Sequence, residues 1–151
     1  MSIPELDLNF HSYCSINIAT ASDTTIAEFN PFADGSYGSG ATKKIVKTPD
    51  ITYDSTTGRI IFGASGTYFI AFTAPTDCDA VSTGTAVAKI KLNGADVIVT
   101  PEMKIRRNMS PRAITLNSMF TVQAGDNITI SIDGNHATTK TTVGTHIIAI
   151  K

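Results

Sequence analysis

The chain has 151 residues, of which 17% are charged, and its net charge is −1. Isoleucine, valine and threonine together account for 48 residues, whereas leucine occurs four times and tryptophan never. Branching at Cβ suits a pleated strand better than a helix, so this composition excludes a helical protein and predicts an all-β domain. The near-neutral charge argues against nucleic acid as a partner, because binding it needs a basic surface.

The amino-terminal sequence shows neither the basic region nor the apolar run of a secretory signal, and no stretch reaches the ~18 apolar residues of a membrane helix. We therefore expect no membrane contact, and we expect Cys14 and Cys78 to be reduced thiols. Residues 1–12 are predicted to form an arm ahead of one domain, 13–151. The arm's candidate partner-binding residues are Ile3, Leu6, Leu8 and Phe10.

Apolar segments follow one another along the chain, separated by turn residues, which is the pattern of an all-β domain. The predicted strands are 13–19, 25–29, 43–47, 59–62, 67–74, 85–92, 97–105, 113–122, 127–133 and 145–151. Asn93-Gly94 is the strongest hairpin signal, because both residues tolerate the positive φ of a type I′ turn. Residues 30–42 and 134–144 are predicted to be loops.

The predicted strands are of two kinds. In 127–133, isoleucines alternate strictly with polar residues, as in a strand with one face on a core and one in water. In 67–74 and 145–151, both faces are apolar, with Phe69 and Ile148 on the second face. A two-layer sandwich buries only one face of a strand within its own chain, so a copy of the chain is predicted to cover the other. An arm or loop of the same chain is the alternative.

Three motifs occur in a characteristic order. A Gly-x-Tyr-x-apolar-x-aromatic strand begins at Gly66, the run 122–128 reads Val-Gln-Ala-Gly-Asp-Asn-Ile, and 144–150 is an apolar final strand. Together they resemble the tumour-necrosis-factor and complement globular-head superfamily. The resemblance implies an all-β, ten-strand jelly-roll β-sandwich that assembles as a compact homotrimer.

The same resemblance implies which residues lie on each side of the sheet that contains strands 67–74 and 145–151. The residues implied to contact the two other copies are Thr67, Phe69, Ala71, Thr115, Asn117, Met119, His146, Ile148 and Ile150. The residues implied to fill the core are Tyr68, Ile70, Phe72, Leu116, Phe120, Val122, Ile147 and Ala149. Three copies of His146 would approach the three-fold axis, either as an ion or pH-sensitive site or, the interpretation we favour, as polar interface residues.

The chain differs from the animal members in showing no signal peptide, collagen stalk or membrane anchor, and it is more similar to a bacteriophage or viral structural protein. The predicted function is therefore a non-enzymatic, trimeric virion protein, most simply a capsid decoration (cement) protein bound to a capsid or tail protein. The alternative is a receptor- or glycan-binding head of a phage fibre or spike. A cytokine-like or complement-like ligand is the least favoured.

No motif predicts catalysis. The sequence has no P-loop, no Gly-x-Ser-x-Gly elbow and no dinucleotide fingerprint, and none of its three histidines has zinc-ligand spacing. We expect no enzyme activity, no cofactor and no metal. Lys104, Arg106 and Arg107 are further candidate partner-binding residues, for which a solvated strand end is the plainer interpretation.

Overall fold

The computed structural model describes residues 12–19, 24–25, 28–34, 42–78, 83–106, 112–135, 137–139 and 143–150. Within these ranges the chain forms strands and no helix, so the all-β prediction is confirmed. The strands are β1 (Tyr13–Ala19), β2 (Thr24–Thr25), β3 (Glu28–Phe29), β4 (Thr42–Lys47), β5 (Ile51–Asp54), β6 (Arg59–Phe62), β7 (Gly66–Cys78), β8 (Thr83–Leu92), β9 (Ala95–Val99), β10 (Met103–Arg106), β11 (Arg112–Val122), β12 (Asn127–Asn135), β13 (Ala137–Thr139) and β14 (Val143–Ile150).

The first of two seven-stranded sheets has the order β2-β13-β7-β14-β1-β4, with β11 on the other side of β7. All of its pairings are antiparallel. The long strand β7 is the centre of this sheet, because it pairs with β11 from Gly66 to Thr76 and with β14 from Thr67 to Thr73. The carboxyl-terminal strand is therefore held between β7 and β1.

The second sheet has the order β10-β8-β12-β6-β5, and β3 and β9 pair with β12 and β8 respectively. Strands β9 and β10 share one edge of β8. Sequence periodicity predicts one strand over 97–105, but the structure divides it. The Thr100 N–H donates to the Ala88 carbonyl, and the Thr100 hydroxyl, in place of its carbonyl, accepts from the Ala88 N–H, at 2.9 and 3.0 Å. The ladder is interrupted here because the next residue, Pro101, has no N–H to donate.

The core between the sheets is built mostly from isoleucines and aromatic residues. Burial in the core is confirmed for six of the residues that the resemblance implies, each at most 3% exposed: Tyr68, Ile70, Phe72, Leu116, Val122 and Ile147. Phe120 is half-buried and packs against this core. The side chain of Ala149 lies outside the described residues. Phe62 of the second sheet contacts Tyr68 of the first, with ring centroids 4.6 Å apart. Apolar burial of this kind is the main stabilising contribution of a sandwich.

The predicted hairpin turn at Asn93-Gly94 joins β8 to β9. Both residues have positive φ, 49° for Asn93 and 88° for Gly94. A type I′ turn requires this conformation, and its twist matches that of the flanking strands.

Several strand predictions are corrected by the structure. The single predicted strand 25–29 corresponds to two short strands in different sheets, since β2 pairs with β13 and β3 pairs with β12. Strands β5 and β13 were not predicted, and β13 lies in the predicted loop 134–144. The described residues thus contain fourteen strand segments rather than ten. Segments of two to four residues are too short to show a period of two.

Candidate assembly face

One face of the first sheet points away from the core, and we call it the assembly face. In β1, β7 and β11, every second residue points into the core, and the residues between them lie on the assembly face. The residues of β4 that pair with such positions of β1 lie on it too. Its described members are Tyr13, Ser15, Asn17, Lys44, Val46, Thr67, Phe69, Ala71, Thr73, Thr115, Asn117, Met119 and Thr121.

A row of apolar residues crosses the middle of the assembly face. Phe69 on β7 lies opposite Met119 on β11 and opposite Ile148 on β14. Ile148 lies in turn opposite Tyr13 on β1. Residues that face each other directly across antiparallel strands have Cβ atoms about 4.5–5.5 Å apart, so the row is continuous.

Two side chains of this row are open to solvent, since Phe69 is 37% exposed and Met119 is 64% exposed, whereas Tyr13 is half-buried. Val46, elsewhere on the assembly face on the edge strand β4, is 51% exposed. Thr115 and Asn117 are also exposed, whereas Thr67 and Ala71 are half-buried. Single exposed apolar residues are common on protein surfaces, but adjacent ones on a flat sheet are typical of an interface.

Three predicted contact residues are described through their backbone alone. His146, Ile148 and Ile150 are paired with Ala71, Phe69 and Thr67 respectively, so the register of β14 brings them beside the predicted contact residues of β7. Their side chains lie outside the described residues. All nine predicted contact residues therefore belong to three adjacent strands, β11, β7 and β14.

Sequence reasoning missed the part of the assembly face that β1 and β4 contribute. Asn17 donates from Nδ2 to the Ser15 hydroxyl at 3.1 Å. A Cβ added at Gly144 would lie 2.6 Å from Asn17 Oδ1, so the glycine leaves the space that the Asn17 side chain occupies. The alternation of 13–19, in which Cys14, Ile16 and Ile18 are buried, was the signal that could have found these positions.

The other predicted partner-binding residues do not join the assembly face. Lys104 is exposed on β10, in the second sheet, and Arg106 is the last residue of that strand, with its side chain outside the described residues. Arg107 and the arm residues Ile3, Leu6, Leu8 and Phe10 lie wholly outside the described residues.

A polar cluster ties the segment after β3 to β4 and β5. The Lys43 ammonium donates to the Asp34 carboxylate at 2.7 Å and to the Phe32 carbonyl at 3.0 Å. Tyr53 donates its hydroxyl to the same carbonyl. The hydrogen bond from Lys43, aided by one from Ser55, holds the pKa of Asp34 below its ordinary value. Partial burial lowers the pKa of Lys43, but its bonds to Asp34 and Tyr53 outweigh burial and raise it.

A second polar cluster fixes the start of β1. Ser12, which is buried, donates its hydroxyl to the Asp50 carboxylate. Thr48 donates to the other carboxylate oxygen at 2.5 Å. Burial raises the pKa of Asp50, but these two hydrogen bonds outweigh burial and hold it below the ordinary value. The backbone that enters β1 is thus anchored at the turn after β4.

The outer surface of the second sheet contains a shallow, polar cleft. Its lining includes Arg59, Asn93, Gly94, Asn127 and Thr129. These lining residues offer hydrogen-bond donors and acceptors, together with the positive charge of Arg59.

In the part of the chain that the structure describes, no cluster of three or more histidine, cysteine or acidic residues could hold a metal ion. Cys14 is a free, buried thiol, as predicted, and desolvation raises its pKa to about 11. Because the thiolate is the reactive form of cysteine, burial disfavours reaction of this thiol. Among the same described residues, no helix is long and apolar enough to cross a membrane.

Comparison with known proteins supports a fold but no function. No family model matches the chain, and no curated protein matches it in sequence. Two similar solved structures are Eiger TNF from S. frugiperda, at 9% identity and a TM-score of 0.54, and murine APRIL at pH 5.0, at 12% identity and a TM-score of 0.57. Each match covers 93% of this chain, with 94% of the Eiger chain and 99% of the APRIL chain. The protein therefore has a TNF-like jelly-roll fold.

Proposed function

We propose that this protein is a non-enzymatic structural protein that assembles into a homotrimer through the assembly face. The observation that carries the proposal is the pair Phe69 and Met119, which are adjacent and exposed on the face away from the core. Fully burying an exposed large apolar side chain is worth about 1.5–3 kcal/mol. Phe69 is 37% exposed and Met119 is 64% exposed, so each would contribute part of that amount at every contact of a trimer.

The trimer, rather than a dimer, follows from the resemblance to the tumour-necrosis-factor superfamily, and the similar solved structures support that resemblance at the level of fold. In a head-to-tail contact, each copy is rotated relative to the one before it. If three such rotations bring the third copy back into contact with the first, the assembly is a finite ring, and otherwise it grows into a filament. The non-enzymatic part of the proposal rests on the sequence, in which no motif predicts catalysis.

The mass of the protein in solution tests this proposal. One chain has a mass of 16.0 kDa, so a trimer should measure about 48 kDa by light scattering at micromolar concentration. A mass of one chain under these conditions would refute the assembly, and a mass of two chains would refute the three-fold arrangement.

The biological role that we propose for the trimer is decoration of a virus capsid. This is the role predicted from the sequence, and the observation that supports it is the anchored entry to β1, where the Ser12 hydroxyl donates to the Asp50 carboxylate. Immunogold imaging of particles from the source virus tests it, with label on the shell as the expected result. Label on the tail, or no label, would overturn it.

A second candidate is a glycan-binding head, and the polar cleft beside Arg59 and Thr129 is the observation that favours it. Binding to a glycan array, abolished by Arg59→Ala, would establish this role in place of decoration. The Glu102→Ala variant is a control, because Glu102 is an exposed charged residue between β9 and β10 that does not line the cleft.

A further inference from the structure

The turn between β8 and β9 contains a chemically reactive pair of residues, Asn93 and Gly94. Both are exposed, and a Cβ added at Gly94 would have no atom within 4 Å. The backbone nitrogen that follows an asparagine can attack its side-chain Cγ, and a glycine favours this attack because it has no side chain to hinder it. Asparagine is for this reason one of the thermolabile residues of proteins. The sequence that forms the turn is therefore also open to modification.

The modification is deamidation, and water is its co-reactant. The Gly94 nitrogen forms a bond to Asn93 Cγ, the bond from Cγ to Nδ2 breaks, and Nδ2 leaves as ammonia with the proton that Gly94 gives up. The cyclic imide then takes up a water molecule. Opening at Cγ leaves an aspartate, whereas opening at the main-chain carbonyl leaves an isoaspartate, in which the chain runs through the former side chain. Either product carries a carboxylate in place of a neutral amide.

In the folded protein, hydrogen bonds fix both polar atoms of the Asn93 side chain. Nδ2 donates to Asp126 Oδ1 at 2.9 Å, and Oδ1 accepts from the backbone N–H and from Nδ2 of Asn127, at 3.0 and 3.2 Å. The Asn93 N–H donates in turn to the Asn127 carbonyl at 2.9 Å. We call these contacts of Asn93 with Asp126 and Asn127 the amide latch. Cyclisation must bring Cγ to the Gly94 nitrogen and expel Nδ2, so the latch has to open first.

The other half of the amide latch, the turn between β11 and β12, is itself fixed to the sandwich. The Gln123 N–H donates to Asp126 Oδ2 at 2.8 Å, and the Asp126 N–H donates to the Gln123 carbonyl at 3.1 Å. The Phe62 N–H donates to the Asp126 carbonyl at 2.9 Å, and the Gly125 N–H to the Phe62 carbonyl at 2.7 Å. The Asp126 carboxylate therefore turns away from residue 93 only by breaking its hydrogen bond with Gln123.

We propose that Asn93 is a deamidation site whose rate is limited by opening of the amide latch and whose product cannot close the latch again. In the aspartate product an oxygen replaces Nδ2, which lies 2.9 Å from Asp126 Oδ1. Two carboxylates at hydrogen-bond distance repel each other unless they share a proton. Deamidation thus loosens the β8–β9 hairpin from the β11–β12 turn and adds a negative charge to the polar cleft, which Asn93 lines together with Arg59. The proposal is independent of the assembly face, because β8 and β9 belong to the second sheet.

Peptide mass spectrometry of the full chain, incubated in mildly alkaline buffer with and without concentrated urea, tests the site. Asn93 should be deamidated about tenfold more slowly in the folded protein than in urea, because local opening must precede cyclisation. Asn30 is the internal control and should keep its amide in both samples, since the following Pro31 has no N–H. Equal rates at Asn93 in the two samples would overturn the latch, and an Asn93 that stays unmodified in the folded protein would overturn the site.

A variant of the latch tests what protects Asn93. Asp126→Ala removes the acceptor of Nδ2, so the folded protein should be deamidated at Asn93 several-fold faster than the natural protein. Glu102→Ala is the control, because Glu102 is an exposed acidic residue between β9 and β10, and it should leave the rate unchanged. A rate that is unchanged in Asp126→Ala would show that the amide latch does not control the reaction.

The Asn93→Asp variant reproduces the aspartate product and tests the second half of the proposal. Urea unfolding near neutral pH should show that its folding equilibrium constant is about tenfold lower than that of the natural protein. Adding Asp126→Asn should restore most of the loss, because an amide can again donate to a carboxylate across the latch. A loss of the same size with and without Asp126→Asn, or no loss in Asn93→Asp, would contradict the repulsion between the two carboxylates.

Discussion

Phe69 and Met119 lie directly opposite each other on β7 and β11, and both side chains are exposed on the face of the sheet away from the core. They are 50 positions apart in the chain, so only the pairing of the two strands brings them together. Their neighbours on β7, Tyr68 and Ile70, are buried. The same strand therefore supplies the core with one face and offers an apolar surface with the other.

The first prediction concerns Phe69→Asp. If the apolar row forms the contact, this change should reduce the mass in solution from about 48 kDa to the 16.0 kDa of one chain, because an unpaired carboxylate would be buried at each contact. Light scattering at micromolar concentration measures it. Val99→Asp, at an exposed apolar position of the second sheet, is the control and should keep the trimer. Trimers that persist in Phe69→Asp would show that another face makes the contact.

The second prediction concerns the core. Phe72 is 2% exposed, packs edge-to-face on Phe32 with centroids 6.0 Å apart, and lies opposite Leu116. Phe72→Ala should lower the free energy of unfolding by about 3–5 kcal/mol, through lost transfer energy and the cavity left behind. Urea unfolding measures the change. Thr73→Ala, at the next and exposed position, should change stability by less than about 1 kcal/mol, and equal effects of the two changes would contradict the described burial.

The third prediction compares Gly63, which precedes β7, with Gly66, the first residue of that strand. A Cβ at Gly63 would lie 2.5 Å from the Asp50 carbonyl oxygen, a backbone atom that also accepts the Gly63 N–H. Gly63→Ala should therefore destabilise the fold by about 1–3 kcal/mol through overpacking. At Gly66 the nearest atom would be 3.7 Å away, on Tyr68, so Gly66→Ala should be nearly neutral. Thermal unfolding of both variants compares them, and a neutral Gly63→Ala would contradict the close approach.

The fourth prediction concerns acid stability. The pKa of Asp34 is held low by its hydrogen bonds to Lys43 and Ser55. A carboxylate whose pKa is lower in the folded than in the unfolded protein stabilises the fold at pH values above its unfolded pKa, which is near 3.8 for Asp34. This stabilisation is lost as the pH falls through the pKa of the folded protein. Asp34→Asn should therefore be less stable than the natural protein at pH 6, and the difference should shrink toward pH 2. Urea midpoints at both values measure it, and a difference that does not depend on pH would argue against the ionised pair.

The sequence by itself determined the class of fold and the two faces of its main strands. The period of two in residues 127–133 predicted the buried Ile128, Ile130 and Ile132, since a strand turns alternate side chains to opposite faces. Asn93-Gly94 predicted a hairpin turn from backbone preference alone. Alternation along residues 67–74 likewise places Phe69 on the face opposite Tyr68 and Ile70.

Only the tertiary structure decided which strands are neighbours and in what register. A shift of two residues preserves the same alternation, so no pattern within β7 could place Phe69 opposite Met119 and Ile148. Nor could periodicity show that Thr100 and Pro101 interrupt an edge strand or that Lys43 reaches Asp34. These features depend on contacts between distant segments, and such contacts are set by the packing of the whole sandwich rather than by local preference.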